Sequence, residues 1–410
     1  MLKAIKIRIY PNENQVAYIN KQLGCCRYVY NRCLEFRKSS YEKDKTSVSA
    51  TEAIHHIVTL KIDNEWLKEV NSKVLQQSVR DMNKAYKNFF DGKCGYPRFK
   101  SKHDSYQSCR FPKDAFSGIK GNRITLITDL KNILFKCSRK DEKYLNRHQD
   151  KVSSITLSKD CTDAFHLSVL IDQPQGERPK ADKAVGIDLG IKDFVIASNG
   201  EVFENLHLKK HEKNRLRRLQ RQLSKKTVGS NNRNRARKRL AKLHKKITNR
   251  KLHYIHQVTN TLINENQVIG MEDLNVKGMA KNHKLAESVM EMNFGEFRRI
   301  LKYKALWYGR QLVFVNRFYP SSKTCHYCGY IKKDLSLSDR EWICPQCGKV
   351  IDRDYNASQN IRDEALRIIG LSSPEYTLAD YPTMDDRLGD KALKSSDRMK
   401  QETNVFNELH

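Results

Sequence analysis

The stretch Ala184-Val185-Gly186-Ile187-Asp188-Leu189-Gly190 decides the fold. It is a nearly continuous apolar run broken only by glycine and one carboxylate. That pattern fits a short strand buried on both faces, with Asp188 carried on its frame. Ile191 to Ala197 reads as a second strand, and Gly190 between the two permits a hairpin turn. A similar run, Gln267-Val268-Ile269-Gly270-Met271, ends on Glu272. Farther on, Asp354 precedes a helix-like segment from Asn356 to Ile369. An acid alone in any of these frames is most simply a helix cap or an ion-pair partner. Three of them in such frames point to a divalent-ion cradle. Mg²⁺ takes oxygen ligands, and two ions about 4 Å apart can clamp the attacking and leaving oxygens of a phosphodiester. Asp193, Asp273 and Asp352 are near neighbours and read as supporting or surface groups.

Between Glu272 and Asp354 lie Cys325, Cys328, Cys344 and Cys347, spaced C-x2-C, 15 residues, C-x2-C, with Gly329 and Gly348 after the pairs. Each pair aims two thiolates at one tetrahedral ion, so a closed structural zinc site is expected. Closure of the shell by four thiolates leaves that ion no catalytic position. The other seven cysteines, Cys25, Cys26, Cys33, Cys94, Cys109, Cys137 and Cys161, show no metal spacing and read as reduced, mostly buried thiols.

The chain has 410 residues, and Lys plus Arg outnumber Asp plus Glu by 77 to 47. An excess of +30 favours a polyanionic partner, because each neutralised phosphate releases counterions. No apolar run approaches the roughly 20 residues that span a bilayer. The start, M-L-K-A-I-K-I-R-I, lacks a signal peptide's apolar block, so a soluble, intracellular protein without a membrane partner is expected. The basic charge concentrates in 209–251, with 19 Lys or Arg and one acid, Glu212. Leu216, Leu219 and Leu223, then Leu240, Leu243 and Ile247, recur at helical spacing on either side of T-V-G-S-N-N. A helical hairpin with a thin apolar seam and a nucleic-acid-binding exterior follows.

Nearer the start, Ile5, Ile7 and Ile9 alternate with Lys6, Arg8 and Tyr10, giving a strand that Pro11 ends. Helices are expected from Asn12, from about Ser49 to Lys61, and from about Ser72 to Phe90. The stripe of Leu75, Val79, Met82, Tyr86, Phe89 and Phe90 on the third is core. Short strands at 123–126, 133–135, 154–157 and 166–171, separated by turns, suggest a small barrel that the first strand could join, leaving the helices as an insertion. Pro174 and Pro179 mark a linker, and 376–410 read as a largely disordered tail.

At this point the motifs carry a resemblance. G-I-D-L-G-I-K-D-F (186–194), G-M-E-D-L-N-V (270–276), P-S-S-K-T-C-H-Y-C-G (320–329) with C-P-Q-C-G (344–348), and D-R-D-Y-N-A-S-Q-N-I (352–361) closely resemble the RuvC motifs and zinc ribbon of TnpB. Y-P-N-E-N-Q (10–15), L-G-C-C-R-Y-V-Y-N (23–31), A-Y-K-N-F-F (85–90) and G-Y-P-R-F-K-S-K (95–102) are similar as well. TnpB proteins are transposon-encoded RNA-guided nucleases related to Fanzor proteins and ancestral to type V CRISPR effectors. The resemblance spans 1–370 and implies a multidomain α+β protein. Its parts would be a wedge β-barrel (1–10 and 93–178) with an inserted helical recognition domain (11–92), and a RuvC/RNase H-like α/β nuclease domain (179–320 and 350–375) interrupted by a zinc ribbon (321–349). It carries a catalytic triad onto Asp188, Glu272 and Asp354, the last being the carboxylate two before Asn356. It implies two Mg²⁺, with Mn²⁺ as a substitute, and one structural Zn²⁺ on the four cysteines. It also implies an ωRNA guide, double-stranded target DNA read beside a short adjacent motif, and one protein per RNA in a bacterial or archaeal cytoplasm. Lys73, Gln76 and Gln77, with Arg98 and Lys100 after Tyr96, are expected at the adjacent motif, against the simpler reading of surface polars on a core helix. Arg217, Arg218, Arg221, Arg237, Arg239 and Lys245 are expected to hold guide and heteroduplex by their backbones.

Three rival readings make different demands. A single-strand transposase needs two histidines flanking one apolar residue, and His55 and His56 are adjacent instead. A guide-free junction resolvase would share the carboxylates but needs no N-terminal module of this size. A non-catalytic DNA-binding regulator would have lost a triad residue, and all three are present.

Overall fold

Period-two alternation in β1 (Leu2–Tyr10) buries Ile5, Ile7 and Ile9 and leaves Lys6, Arg8 and Tyr10 exposed. The computed structural model describes residues 2–172, 179, 181–282, 286–336 and 339–370, which fall into two units. The linker around Pro174 and the tail from 376 lie outside the described residues, and Pro179 within them.

In the first unit (1–174 and 227–242), β1 sits inside an antiparallel sheet. Its other strands are β2 (Tyr106–Pro112), β3 (Gly118–Lys120), β4 (Arg123–Thr125), β5 (Ile133–Lys136), β6 (Val152–Asp160) and β7 (Phe165–Asp172). β1 pairs with β7, Ile5 opposite Val169, and with β5, Ile9 opposite Phe135. Three helices enter between β1 and β2: α1 (Glu13–Asp44), α2 (Ala50–Asp63) and α3 (Ser72–Phe90). Each begins where a polar side chain caps it. Asn12 and Gln15 form a reciprocal capping box, Ser49 and Glu52 form another, and Asn71 accepts from the amide of Val74. A short helix, α4 (Arg139–Arg147), precedes β6. The inserted helices are thus as expected, but the barrel is not. The strand order β2-β6-β7-β1-β5-β4-β3 has two free ends and does not close. Closure would need β2 to bond to β3, yet β3 offers three residues and pairs with β4, while α3 and α1 pack on β2. Of the seven unpatterned cysteines, Cys25, Cys26, Cys33 and Cys109 are buried; Cys137 is half-buried, and Cys94 and Cys161 are exposed.

The second unit (175–226 and 243–410) contains a five-stranded sheet. Its strands are β8 (Ala184–Asp188), β9 (Asp193–Ala197), β10 (Val202–Glu204), β11 (Val268–Glu272) and β12 (Gln311–Val315), in the order β10-β9-β8-β11-β12. β8, β11 and β12 run parallel, while β9 and β10 are antiparallel additions. The basic helices are α5 (Lys210–Ser224) and α6 (Asn231–Glu265), the latter starting among residues that belong to the first unit. After β11 come α7 (Val276–Met279), α8 (Ala286–Met292) and α9 (Phe294–Trp307). Past β12 lie a two-stranded ribbon, β13 (Glu341–Ile343) and β14 (Val350–Asp352), and then α10 (Arg353–Ile368).

Helices cover both faces of this sheet, which explains why its central strands read as unbroken apolar runs. Val185, Ile187, Ile269 and Met271 pack on Ile255, Val258 and Leu262 of α6 and Phe297, Ile300 and Leu301 of α9. The alternate positions, Gly186, Asp188, Gly270 and Glu272, face the other way, toward α10. Gly186 and Gly270 are register partners. A Cβ on Gly186 would stand 2.0 Å from the Ser358 carbonyl oxygen and 2.3 Å from the Arg362 nitrogen; one on Gly270 would meet Ala365 Cβ at 2.7 Å. The glycines let the helix backbone rest directly on the strands.

Gly186→Ala should therefore destabilise the second unit by about 3 kcal/mol or more, since both blocking atoms are backbone and cannot rotate away. Gly95→Ala, where a Cβ would meet nothing within 4 Å, should leave the unfolding midpoint unchanged. Denaturant melts of the two variants test the difference.

Candidate functional site

Three carboxylates are brought to one face of the second sheet by the strand frames and by α10. Gly186 and Asp188 are two apart on β8, as are Gly270 and Glu272 on β11, and both pairs face α10. Neighbouring parallel strands lie about 4.8 Å apart, so Asp188 and Glu272 end adjacent strands side by side. Asp354 occupies the first turn of α10, which runs on through Ser358, Ile361 and Arg362 against the two glycines.

Asp188 is half-buried, and its pKa is pushed up to about 7, first by loss of water and then by the charges of Glu272 and Asp354; Arg353 opposes the rise. Glu272 is raised by burial, while the hydrogen bond from Ser321 Oγ to Glu272 Oε1, 2.5 Å long, pulls the other way. Asp354 receives Arg340 Nη1 at 2.7 Å on one oxygen and Arg353 Nε at 3.0 Å on the other. Mutual repulsion of this kind is what a cation relieves, and an all-oxygen donor set suits Mg²⁺. The trio is looser than a preformed single-ion cage: among the described residues, only the cysteine quartet has ligand atoms all within 4.8 Å of one another.

That quartet could hold a zinc ion. Cys325 and Cys347 Sγ are 3.7 Å apart, Cys328 and Cys344 Sγ 3.5 Å. A tetrahedron with Zn–S near 2.3 Å has edges of about 3.8 Å. The two knuckles are built alike. Gly329 N donates to Cys325 O and Gly348 N to Cys344 O, both at 2.8 Å, with the glycines in the left-handed region at φ 76° and 67°. Among the described residues, Leu335, Trp342 and Ile351 are what the ribbon buries beside its cysteines.

Side chains with no assigned role tie the two centres together. Asn360 Nδ2 donates to Ser321 O and to Thr324 O, both at 2.7 Å. Asn356 Nδ2 donates to Thr324 O at 2.7 Å, and its Oδ1 accepts from the amide of His326 at 2.9 Å. Ser321, Asn356 and Asn360 are buried. They fasten the turn before the first knuckle to α10 and hold the hydroxyl that orients Glu272. Asp352 caps α10 by accepting from the amide of Tyr355, Asp273 pairs with Arg298 and Arg317, and Asp193 lies 4.0 Å from Lys192.

The expected nucleic-acid residues fall on several surfaces. Arg217, Arg218 and Arg221 line an exposed strip of α5 beside a hollow of about 440 Å³. Arg237 and Arg239 are exposed on α6, and Lys245 is half-buried there. Glu212, the acid of the basic stretch, is held by Arg250 at 2.7 and 2.8 Å. Lys73 pairs loosely with Asp114 at 3.5 Å, Gln76 and Gln77 are half-buried on α3, and Arg98 is exposed. Lys100 is half-buried with its ammonium 3.9 Å from the centroid of the Tyr30 ring. No helix among the described residues is long and apolar enough to cross a membrane.

Comparison with known proteins identifies the family. Residues 166–283 match the OrfB_IS605 family, described as "Probable transposase", and 294–361 match the Cas12f1-like TNB domain. Residues 1–46 match a family described as a helix-turn-helix domain, although here they form β1 and the single long helix α1. A Streptomyces pristinaespiralis protein named for RNA-guided DNA endonuclease activity is 36% identical over 88% of this chain and 88% of its own length. InsQ of Escherichia coli K12, named likewise, is 30% identical over 88% of this chain and 91% of its own. A chain of the solved Cas12f1–sgRNA–target DNA complex shares the fold at 15% identity, with a TM-score of 0.56 over 88% of this chain and 98% of that one. With relatives this similar along most of its length, the chain belongs to the TnpB family of IS605-type elements.

Proposed function

We propose that this protein is an RNA-guided DNA endonuclease that uses an ωRNA from its insertion sequence to find double-stranded DNA beside a short adjacent motif and hydrolyses the backbone at Asp188, Glu272 and Asp354. The observation that carries the reading is the shared orientation of Asp188 and Glu272 toward α10, whose first turn bears Asp354, in a protein of charge +30. Carboxylates repel phosphate, so a nucleic-acid protein that gathers three of them has use for cations between. Two Mg²⁺, or Mn²⁺, held by these residues would supply Lewis acidity and lower the pKa of water. We read the second unit as the RuvC-like nuclease domain with its ribbon insertion, and the first as the wedge and recognition domains, acting as one protein per RNA.

Each side chain has a task that its surroundings fit. Asp188, crowded by like charge, would offer its oxygens to the cations and not to the phosphate itself. Glu272 is kept in one rotamer by Ser321. Arg340 and Arg353 orient Asp354 and bring positive charge to the edge of the trio, which suits an anionic substrate. The exposed arginines of α5 and α6 suit backbone contacts, which position nucleic acid without reading its sequence.

Asp188→Ala should abolish cleavage, by at least about a thousand-fold, while guided DNA binding stays within a few-fold. Persisting cleavage would move the site elsewhere. In magnesium-free buffer without chelator, Asp188→Asn should melt higher than the parent at pH 8. A carboxyl whose folded pKa is raised destabilises most when ionised, so that advantage should shrink as pH falls from about 7 toward the unfolded value near 4. Added Mg²⁺ should raise the parent's melting temperature and not the variant's. Cys344→Ser should lose zinc by atomic absorption and lose cleavage with it, because β14 of the ribbon runs straight into α10.

A further inference from the structure

A hollow of about 400 Å³ opens in the first unit where the C-terminal ends of α1 and α3 meet the loop after α3. Its walls are aromatic. Tyr41 comes from α1, Tyr86, Phe89 and Phe90 from α3, and Tyr96 from the loop. Phe90 is 72% exposed, Tyr41 57% and Tyr96 47%, an amount of bare ring that a folded protein seldom leaves without use. One wall is rigid: the Tyr86 and Tyr96 hydroxyls lie 2.9 Å apart, and Tyr96 meets both Tyr86 and Phe89 edge to face. Cations back the rings. The Arg37 guanidinium sits 4.2 Å from the Tyr86 centroid while donating to Asn83, and the Lys45 ammonium sits 5.4 Å from that of Tyr41. The acid in the lining, Glu42, is faced by Lys38 at 3.6 Å.

Aromatic faces backed by guanidinium and ammonium groups take a nucleobase by stacking and its phosphate by charge. A hydrophobic partner helix would want a continuous apolar seam; this hollow is short and ringed by cations. Duplex DNA keeps its bases paired and stacked until it is opened, whereas a folded RNA presents unpaired bases in loops and ends from the outset. We propose that this hollow seats one unpaired nucleotide of the guide RNA, its base stacked on the exposed faces of Tyr41 and Phe90 and its phosphate near Arg37 and Lys38. The proposal rests on the reading above that the chain carries a guide.

The test uses the full chain purified with its RNA, in the Asp188→Asn background so that no cleavage is read. Ultraviolet crosslinking followed by peptide mapping should join an RNA nucleotide to the peptides bearing Tyr41, Phe90 or Tyr96. Tyr41→Leu and Phe90→Ala, both at exposed positions, should weaken RNA binding about ten-fold each with unchanged melting temperature, and Tyr41→Trp should restore it. Unchanged RNA affinity in these folded variants overturns the proposal, as does a crosslink to target DNA instead of RNA. A shift in oligomeric state with RNA affinity intact assigns the hollow to a second copy of the chain and overturns it too. An error in the carboxylate assignment would leave all of these readouts untouched. A chain that purifies with no RNA at all would instead remove the guided reading itself.

Discussion

The approach of α10 to β8 and β11, backbone against backbone, is the constraint on which the rest depends. A Cβ on Gly186 would strike the backbone of Ser358 and Arg362, and one on Gly270 would meet the Ala365 methyl and the Ile361 carbonyl oxygen, at 2.7 and 2.9 Å. At that separation the helix has no room to slide or roll without collision. Its first turn is therefore fixed relative to the strand ends, and so is Asp354 relative to Asp188 and Glu272. The glycines two residues before each strand carboxylate supply the approach and the orientation together, because alternate residues of a strand share a face. A polar clasp reinforces the arrangement from the side: Asn356 and Asn360 hold the turn at Ser321 and Thr324, and Ser321 holds Glu272.

How much of this was legible in the sequence depended on whether the signal was local. The strand alternation at Ile5, Ile7 and Ile9, the helix starts at Asn12 and Ser49, the frames of Asp188, Glu272 and Asp354, and the cysteine spacing are encoded within a few residues, and each is readable. Barrel closure was not, because it depends on which edges meet in space. β3 looks like any other short strand until its partner is seen to be β4 and not β2. Strand β12, Q-L-V-F-V, is an apolar run without a catalytic or metal-binding residue to mark it, and it is absent from the strands expected above. Ser321, Asn356 and Asn360 stand in the sequence as ordinary polar residues, since hydrogen-bond partners about 35 residues away leave no periodic trace. Lys100 shows the limit from the other side: composition counts its charge but does not say that the side chain turns over Tyr30.

The electrostatics divide accordingly. Cations on α5 and the start of α6 stand exposed with few acids near them, which costs folding energy through self-repulsion and makes sense only against an external polyanion. The carboxylate trio is the inverse, an acidic pocket in which burial first, and then internal repulsion, raises Asp188. Arg340 and Arg353 bridge the two regimes by placing guanidinium groups on the carboxylate nearest the ribbon.

Asp352 is both the final residue of β14 and the cap of α10. That double duty has a consequence for biosynthesis. Asp188 and Glu272 leave the ribosome first, followed by all four thiols, and the helix bearing the third acid emerges only after the last of them. Its cap belongs to a ribbon whose described residues bury only a small apolar cluster beside the four thiols. A zinc ion taken up by those thiols would therefore set the moment at which the third acid joins the other two.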